Sequence, residues 1–325
     1  MSKEDFYSLT PDEVMRALET EGFSPTGQFT QLNSYENRVF DIHLDPGSRE
    51  APRVIVKFYR PGRWNEAALL DEHGFIEDLA LAGLPVVAPF RLCNGKTINV
   101  SHNIWFTVFP RAMGRMVDEF QIDDFHRLGR TLAHLHNVGA ARHAHNRPIL
   151  TTEAYGDESL RVLQNWIAPD VINRYNKAAR YVLAQCRNPL KKTVQLRIHG
   201  DCHRGNILKT DYKDRASEFF LVDFDDCCTG PAVQDFWMLL SEAETSEIGT
   251  QELEAILEGY TEFRHFDNHE LQLIPLLRGL RILYYAAWIA RRWEDPSFSQ
   301  IFPQFLEYDY WVNEAKALEQ IAGQV

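Results

Sequence analysis

The hydrophobic period of this chain changes once, and that change decides what it can fold into. Between about residues 28 and 110 the apolar side chains come in short runs, FTQLN, RVFDIHL and PRVIVKFY, separated by turn residues such as Asp45-Pro46-Gly47. Runs of that length and content are expected to be strands. Beyond Gly114 apolar residues recur at three and four over 122–138, 170–186, 231–243, 250–263, 270–293 and 307–321, the period of helices with one buried face. Each half holds one exception. A helix is expected from about Asn65 to Ala82, ended by Gly83-Leu84-Pro85, and a short β-rich patch, Leu196 to Phe224, interrupts the helical part. Thr10-Pro11-Asp12-Glu13 reads as a helix start, with Thr10 as cap and Glu13 reaching back to it. Asn94-Gly95 is expected to close a hairpin whose second strand, IWFTVFP, stops at Pro110. The expected class is α+β, with a small β-rich part over 1–110 and a larger helical part over 111–325.

Composition removes several functions. With 325 residues, 45% of them hydrophobic, the chain can bury a substantial core and is long enough for two domains. Its formal net charge of -12 opposes bulk attraction to nucleic acid, so any phosphate must be gripped by a few local cations. The longest apolar run, ILYYAAWIA at 282–290, lies between Arg281 and Arg291 and is too short to span a bilayer, so no membrane partner is expected. Five scattered cysteines (Cys93, Cys186, Cys202, Cys227, Cys228) form no CxxC pair and fit a reducing cytoplasm.

The β-rich patch carries the densest chemistry, HGDCHRGNIL at 199–208. His199 and His203 are four apart, the spacing of a zinc pair on a helix, but Gly200 and Gly205 disfavour that helix. Cys202 as a nucleophile lacks any local signature of a base. The third reading pairs Asp201 with Asn206. A kinase catalytic loop places an Asn five residues after its Asp, the carboxylate taking the acceptor's proton and the amide oxygen binding magnesium. Such a site also needs a second carboxylate after a short hairpin. Here NILK, the polar turn TDYKDRAS and FFLVDF lead to Asp223.

HGDxHxGN followed by a hydrophobic-Asp-x-Asp segment resembles the aminoglycoside phosphotransferase and choline kinase branch of the protein-kinase-like fold. With NSYENRV at 33–39, VKFYRP at 56–61, GPAVQDFWMLL at 230–240 and RILYYAAWIARRW near the end, nearly the whole chain is similar to the stress response kinase A (RdoA) group of bacterial Ser/Thr kinases. The resemblance implies a bilobal fold with ATP in the cleft, its lobes being 1–110 and 111–325, the latter with the catalytic loop and metal site. It implies Lys57 on the phosphates, held by Glu72 on the next helix. Asp71 is the competing partner, on a more exposed helix face. No GxGxxG is present. In its place NSYENR suggests that Ser34, Asn37 and adjacent backbone amides contact the nucleotide, although alone it would read as an ordinary polar hairpin. Phe109, in Val108-Phe109-Pro110, occupies the hinge position that meets adenine.

Arg38 reads equally as a phosphate ligand or a surface charge, and Asp225 as a group behind the metal ligands or a helix cap. Asp235 matches a family residue that braces the catalytic loop through backbone hydrogen bonds. His134 and His136 read as a packed and a surface histidine. The implied reaction moves the ATP γ-phosphoryl group to a hydroxyl: Asp201 is the base, Asn206 and Asp223 hold Mg2+, and Asp223 shares the catalytic role. The expected acceptor is a protein serine or threonine, the chain itself included, in a bacterial stress response, with a monomer as the expected state. The alternatives are a small-molecule kinase binding a cation with Tyr284, Tyr285, Trp288 and Trp293, and a pseudokinase serving as a binding module.

Overall fold

The computed structural model describes residues 6–7, 9–48, 51–117, 119–210 and 218–325, so the polar turn expected at 210–217 lies, after Thr210, outside the described residues. The chain forms two compact units, Met1–Phe120 with Ala144–Arg147 and Asp201–Cys227, and Gln121–His143 with Pro148–Gly200 and Cys228–Val325. Where the sequence suggests one division near 110, the units are interleaved. The segment from Asp201 to Cys227 packs with the strand-rich part.

In the first unit, helix α1 (Pro11–Thr20) starts on the expected capping box, with Thr10 and Glu13 each satisfying the other's backbone. Strands β1 (Pro25–Leu32), β2 (Arg38–Leu44), β3 (Arg53–Phe58), β4 (Asn99–Ser101) and β5 (Ile104–Pro110) form an antiparallel sheet in the order β1-β2-β3-β5-β4. Its buried face joins Phe40, Ile42, Val54, Val56, Phe58, Phe106 and Val108 to Val14 and Leu18 of α1. Because side chains alternate along a strand, Lys57 projects from the opposite face to Val56 and Phe58. Helix α2 (Glu66–Leu81) begins where the Asn65 side chain caps the Ala68 amide at 2.9 Å. Its buried face carries Leu69, Phe75, Ile76 and Leu79 and, among them, Glu72. Arg115–Met116, Ile207–Thr210 and Glu218–Leu221 form a separate three-stranded sheet, in which Ile207 pairs with Leu221.

One turn differs from expectation. The β4–β5 hairpin closes at His102-Asn103, both at positive φ (49° and 61°), between the paired Ser101 and Ile104. Asn94-Gly95 makes a separate turn just upstream, where the Leu92 amide donates to Lys96 O. A two-residue turn twisted to match its strands needs left-handed conformations at both positions, and His and Asn tolerate them better than most residues.

The second unit is helical, with α3 (Ile122–Ala141), α4 (Ile172–Lys192), α5 (Glu247–Thr261), α6 (Ile274–Arg291) and α7 (Tyr308–Gln324) its longest members. Where α3 crosses α5, a Cβ on Gly129 would lie 2.1 Å from Ile256 O and one on Gly259 would lie 1.9 Å from His126 O. The two backbones approach so closely only because both positions are glycine. Among the described residues Asn268–Arg291 is the one stretch long and apolar enough to cross a bilayer, but 61% of its apolar 18-residue window is buried within the fold, as in a core helix.

Candidate active site

The first unit gathers three acids around the Lys57 amine. Lys57 Nζ lies 3.0 Å from Asp223 Oδ1, 3.4 Å from Asp225 Oδ1 and 3.9 Å from Glu72 Oε1. The register Lys57↔Thr107 fixes the lysine at mid-sheet, and its amine sits 5.0 Å from the centroid of the Tyr59 ring. Asp71, the competing candidate, instead accepts from the Asn146 backbone at 2.7 Å. Asp223 takes up a left-handed backbone (φ 62°, ψ 68°) that costs a residue with a Cβ about 1–2 kcal/mol. That turn aims the carboxylate, half exposed, at the lysine.

The two ends of the motif meet through backbone bonds. The Val222 amide donates to Asn206 O at 3.0 Å, bringing the residue before Asp223 against Asn206. Asn206 Nδ2 donates to Asp201 O at 2.9 Å, so Oδ1 is the end of the amide not committed to that bond. His203 Nε2 stands 3.6 Å from Asp201 Oδ2, while its Nδ1 accepts from the Gly205 amide at 3.0 Å. His199 is buried and His203 is not, and the segment between them is not helical. The shared helix face required by the zinc reading is therefore missing. A hard carboxylate and an amide oxygen, Asp223 and Asn206, instead fit Mg2+, which keeps most of its shell as water and phosphate oxygens and needs only one or two protein ligands.

Several of the named residues make contacts within the protein that the sequence did not indicate. Asn37 is spent inside the protein: Nδ2 donates to Asp225 Oδ2 at 3.1 Å and Oδ1 accepts from the Arg60 amide at 3.2 Å. Ser34 Oγ accepts from the Asn37 amide at 3.2 Å, turning the loop that was expected over the phosphates. Phe109 pairs with Ile55 in the sheet and sets its ring edge-on to His73 at 5.9 Å. Arg38, left open between a phosphate ligand and a surface charge, donates its guanidinium to the Tyr7 carbonyl at 2.9 Å. Asp225 caps no helix. It is a buried ion bound by Arg63, whose second nitrogen reaches Asp226 Oδ1 at 2.5 Å.

Sequence reasoning missed Arg63 and Arg147. Arg147 is buried, with its guanidinium 4.0 Å from the Trp64 ring centroid. It donates to Cys227 O at 2.9 Å and to Asp225 O, and faces Glu72 Oε2 at 3.6 Å. Neither arginine stands in a motif, and an isolated Arg reads by default as a surface charge. Two unit charges about 4 Å apart near a protein surface attract by about 4 kcal/mol, so this arrangement of acids and bases dominates the local electrostatics. Burial works against the charge on Lys57, but Asp223, Asp225 and Glu72 overcome it and hold its proton more tightly than usual. Burial likewise opposes the Asp225 charge, yet Arg63, Lys57 and Arg147 outweigh it and hold the carboxyl below its ordinary range. At Glu72 burial prevails over Lys57 and Arg147, and its proton is held above the ordinary carboxylate range. His73 is driven down to about 3 by burial and by the same two cations, so it is neutral.

In the second unit, Asp235 accepts the His199 and Gly200 amides, both at 2.9 Å, with Gly200 at φ 82°. His136 is the packed histidine of its pair and binds Asp235 Oδ2 through Nε2 at 3.1 Å. The brace fixes the two residues just ahead of Asp201. The aromatic cluster is occupied by the chain's own groups: Arg281 lies 5.7 Å from the Tyr285 ring centroid and Arg292 5.2 Å from that of Trp288. Tyr284 packs on Tyr155 at 4.5 Å, and Trp293 on Phe305 at 5.3 Å.

Comparison with known proteins places the chain in a family. The profile described as "Phosphotransferase enzyme family" (APH) matches residues 28–274. "Stress response kinase A" of Escherichia coli (strain K12) is 37% identical over 319 residues, covering 97% of this chain and 93% of its own length. "Serine/threonine protein kinase RdoA" of Salmonella typhimurium is 36% identical over 309 residues, 94% of this chain and 90% of that protein. Among solved structures, the amicoumacin kinase hAmiN, in complex with AMP-PNP, Ca2+ and Ami, superposes with a TM-score of 0.75 at 20% identity, over 100% of this chain and 97% of that one. A microcompartment-associated aminopropanol kinase reaches 0.74 at 18% identity, over 97% and 98%. At these identities the two structures bear on the fold alone, which is kinase-like.

Proposed function

Because the chain belongs to the phosphotransferase enzyme family, we propose that it is a bacterial stress-response kinase. It transfers the γ-phosphoryl group of ATP to a serine or threonine hydroxyl of a protein, in the cytoplasm and as a monomer. The observation that carries the reading is the meeting of Lys57 with Asp223 at 3.0 Å, a phosphate-gripping cation beside a metal-holding carboxylate drawn from distant parts of the sequence. Phosphoryl transfer needs little covalent chemistry from a protein. It needs positioned charge around a loosely bonded phosphoryl group and an oriented acceptor.

Asp201 supplies the orientation by accepting the acceptor's hydroxyl hydrogen and taking its proton as the new P–O bond forms and the bond from the γ-phosphorus to the bridging oxygen breaks, with ADP leaving. Lys57 binds the α and β phosphates, and Ser34 with its neighbouring amides covers them. Asn206 and Asp223 would hold Mg2+, whose charge would offset the negative charge of the phosphates. Phe109 marks the backbone that would meet adenine.

Two observations support a protein acceptor over a small cationic one. The full-length similarity is to proteins named stress response kinase A and a serine/threonine protein kinase. In addition, the rings of Tyr285 and Trp288 already carry Arg281 and Arg292, which leaves them poorly suited to an aminoglycoside or an amino alcohol. Purified protein incubated with ATP, magnesium and either protein or small hydroxyl acceptors tests the assignment. Phosphoserine or phosphothreonine supports it, and turnover confined to aminoglycosides, choline or homoserine refutes the protein-kinase part.

A further inference from the structure

A kinase lysine is expected to lean on one helical glutamate, yet Glu72 is the most distant of the three acids around Lys57. It stands at 3.9 Å, against 3.4 Å for Asp225 and 3.0 Å for Asp223. Asp223 is half exposed and is assigned to the metal, so it cannot serve Lys57 in both the empty and the loaded site. Asp225 differs from both. It is buried, and its Oδ2 is gripped by Arg63 and by Asn37 Nδ2 at 3.1 Å, while its backbone carbonyl is held by Arg147. The other oxygen, Oδ1, has no hydrogen-bond donor among the described residues and faces the Lys57 amine.

The clamp itself is rigid. Arg63 spans Asp225 and Asp226 with its two terminal nitrogens and stands 3.6 Å from Glu36, so its planar fork is filled. Arg147 lies flat on Trp64 and holds the carbonyls of Asp225 and Cys227. Lys57, by contrast, has a flexible four-carbon stem that needs a fixed counter-charge to keep its amine in one place.

We propose that Asp225, locked by Arg63 and Arg147, is the residue that positions Lys57 for the nucleotide phosphates, with Glu72 as the weaker partner. The role rests on the reading of Lys57 as the phosphate-binding cation. Asp225 is a positioning residue: it acts through Lys57 and need not touch the nucleotide.

The test measures Lys57 itself. Full-length protein without nucleotide is treated with an amine-acylating reagent, and the rate at Lys57 is followed by mass spectrometry. Removing the fixed counter-charge frees the flexible lysine stem to leave its place, so the amine meets the reagent more often. Asp225→Asn is expected to raise the Lys57 rate severalfold, Glu72→Gln by clearly less, and Arg63→Gln by an intermediate amount. Adding Arg63→Gln to Asp225→Asn should change little, because both act on one contact. Metal-free ATP affinity, by calorimetry, should fall in the same order. If Glu72→Gln raised the rate more than Asp225→Asn, or if Asp225→Asn left both labelling and metal-free affinity at wild-type values, the proposal is overturned. Should Asp225→Asn fail to fold by circular dichroism, Arg63→Gln decides alone, and wild-type labelling there overturns it. Labelling needs neither ATP nor an acceptor. A failed kinase assay in wild type would thus sink the functional reading without touching this result, and failed labelling beside intact phosphoryl transfer would sink only the Asp225 role.

Discussion

Asp201 and Asp223 are both carboxylates at the ends of one motif, but their surroundings predict different mutant phenotypes. In the proposed reaction Asp201 meets the acceptor hydroxyl, so Asp201→Asn should lower phosphoryl transfer on the order of 10²–10⁴-fold while leaving ATP affinity near wild type. Asp223 contacts Lys57 and would hold the metal, so Asp223→Asn should weaken ATP binding in the presence of magnesium as well as turnover. Calorimetry with and without magnesium separates the two, and unchanged magnesium-dependent binding in Asp223→Asn would remove it from the metal site. Asp201, Asn206, Asp223, Lys57 and Glu72 could be nominated from the sequence because their types and order form a pattern that phosphoryl transfer requires. The bonds that join Asp225 to Arg63 and Arg147 could not. Arg63 and Asp225 are 162 positions apart, and no periodicity or motif links an isolated arginine to an acid that distant. Asn37 lay in the right loop, but only the coordinates show both ends of its amide turned to the protein's own groups.

At the scale of elements, period and punctuation carried most of the fold. The capping box at Thr10 and the buried stripe of α2 follow from local rules, and α3 and α5 formed within a few residues of their expected bounds. The β4–β5 turn was misplaced because Asn-Gly is the stronger local signal, whereas register in the sheet selected His102-Asn103. The close crossing of α3 and α5 was invisible in the sequence, since a glycine within a helix does not name its partner. It is testable. Gly259→Ala should destabilise the protein by about 1–3 kcal/mol, the range for overpacking, and lower the melting temperature. Gly129→Ala should act similarly, and the double variant should lose less than the sum, because separating the helices once relieves both contacts. A melting temperature unchanged in Gly259→Ala would contradict the crossing.

Charge organises the molecule as a whole. A formal net charge of -12 is combined with acids whose protons burial holds above the ordinary carboxylate range. Burial pushes Glu270 and Glu314 each up to about 7 from the ordinary 4.5. In the window between 4.5 and about 7 the folded chain therefore binds more protons than the unfolded one. Stability should fall as pH rises through that window and then level off. The depressed Asp225 acts oppositely but at lower pH, where its proton returns. Thermal melts from pH 5 to 8 should show the decline, with a shallower slope in Glu270→Gln, and a slope identical to wild type would show that Glu270 is not among its sources.

The central claim is that this chain phosphorylates protein hydroxyls through Asp201. The direct measurement gives wild-type and Asp201→Asn protein γ-labelled ATP and magnesium, with protein and small-molecule acceptors side by side, and follows where the label goes. The expected result is label on serine or threonine, on the chain itself or on an added protein, from wild type and almost none from the variant. Rapid, saturable labelling of an aminoglycoside, choline or homoserine with none on protein, or undiminished protein labelling by Asp201→Asn, would contradict the account.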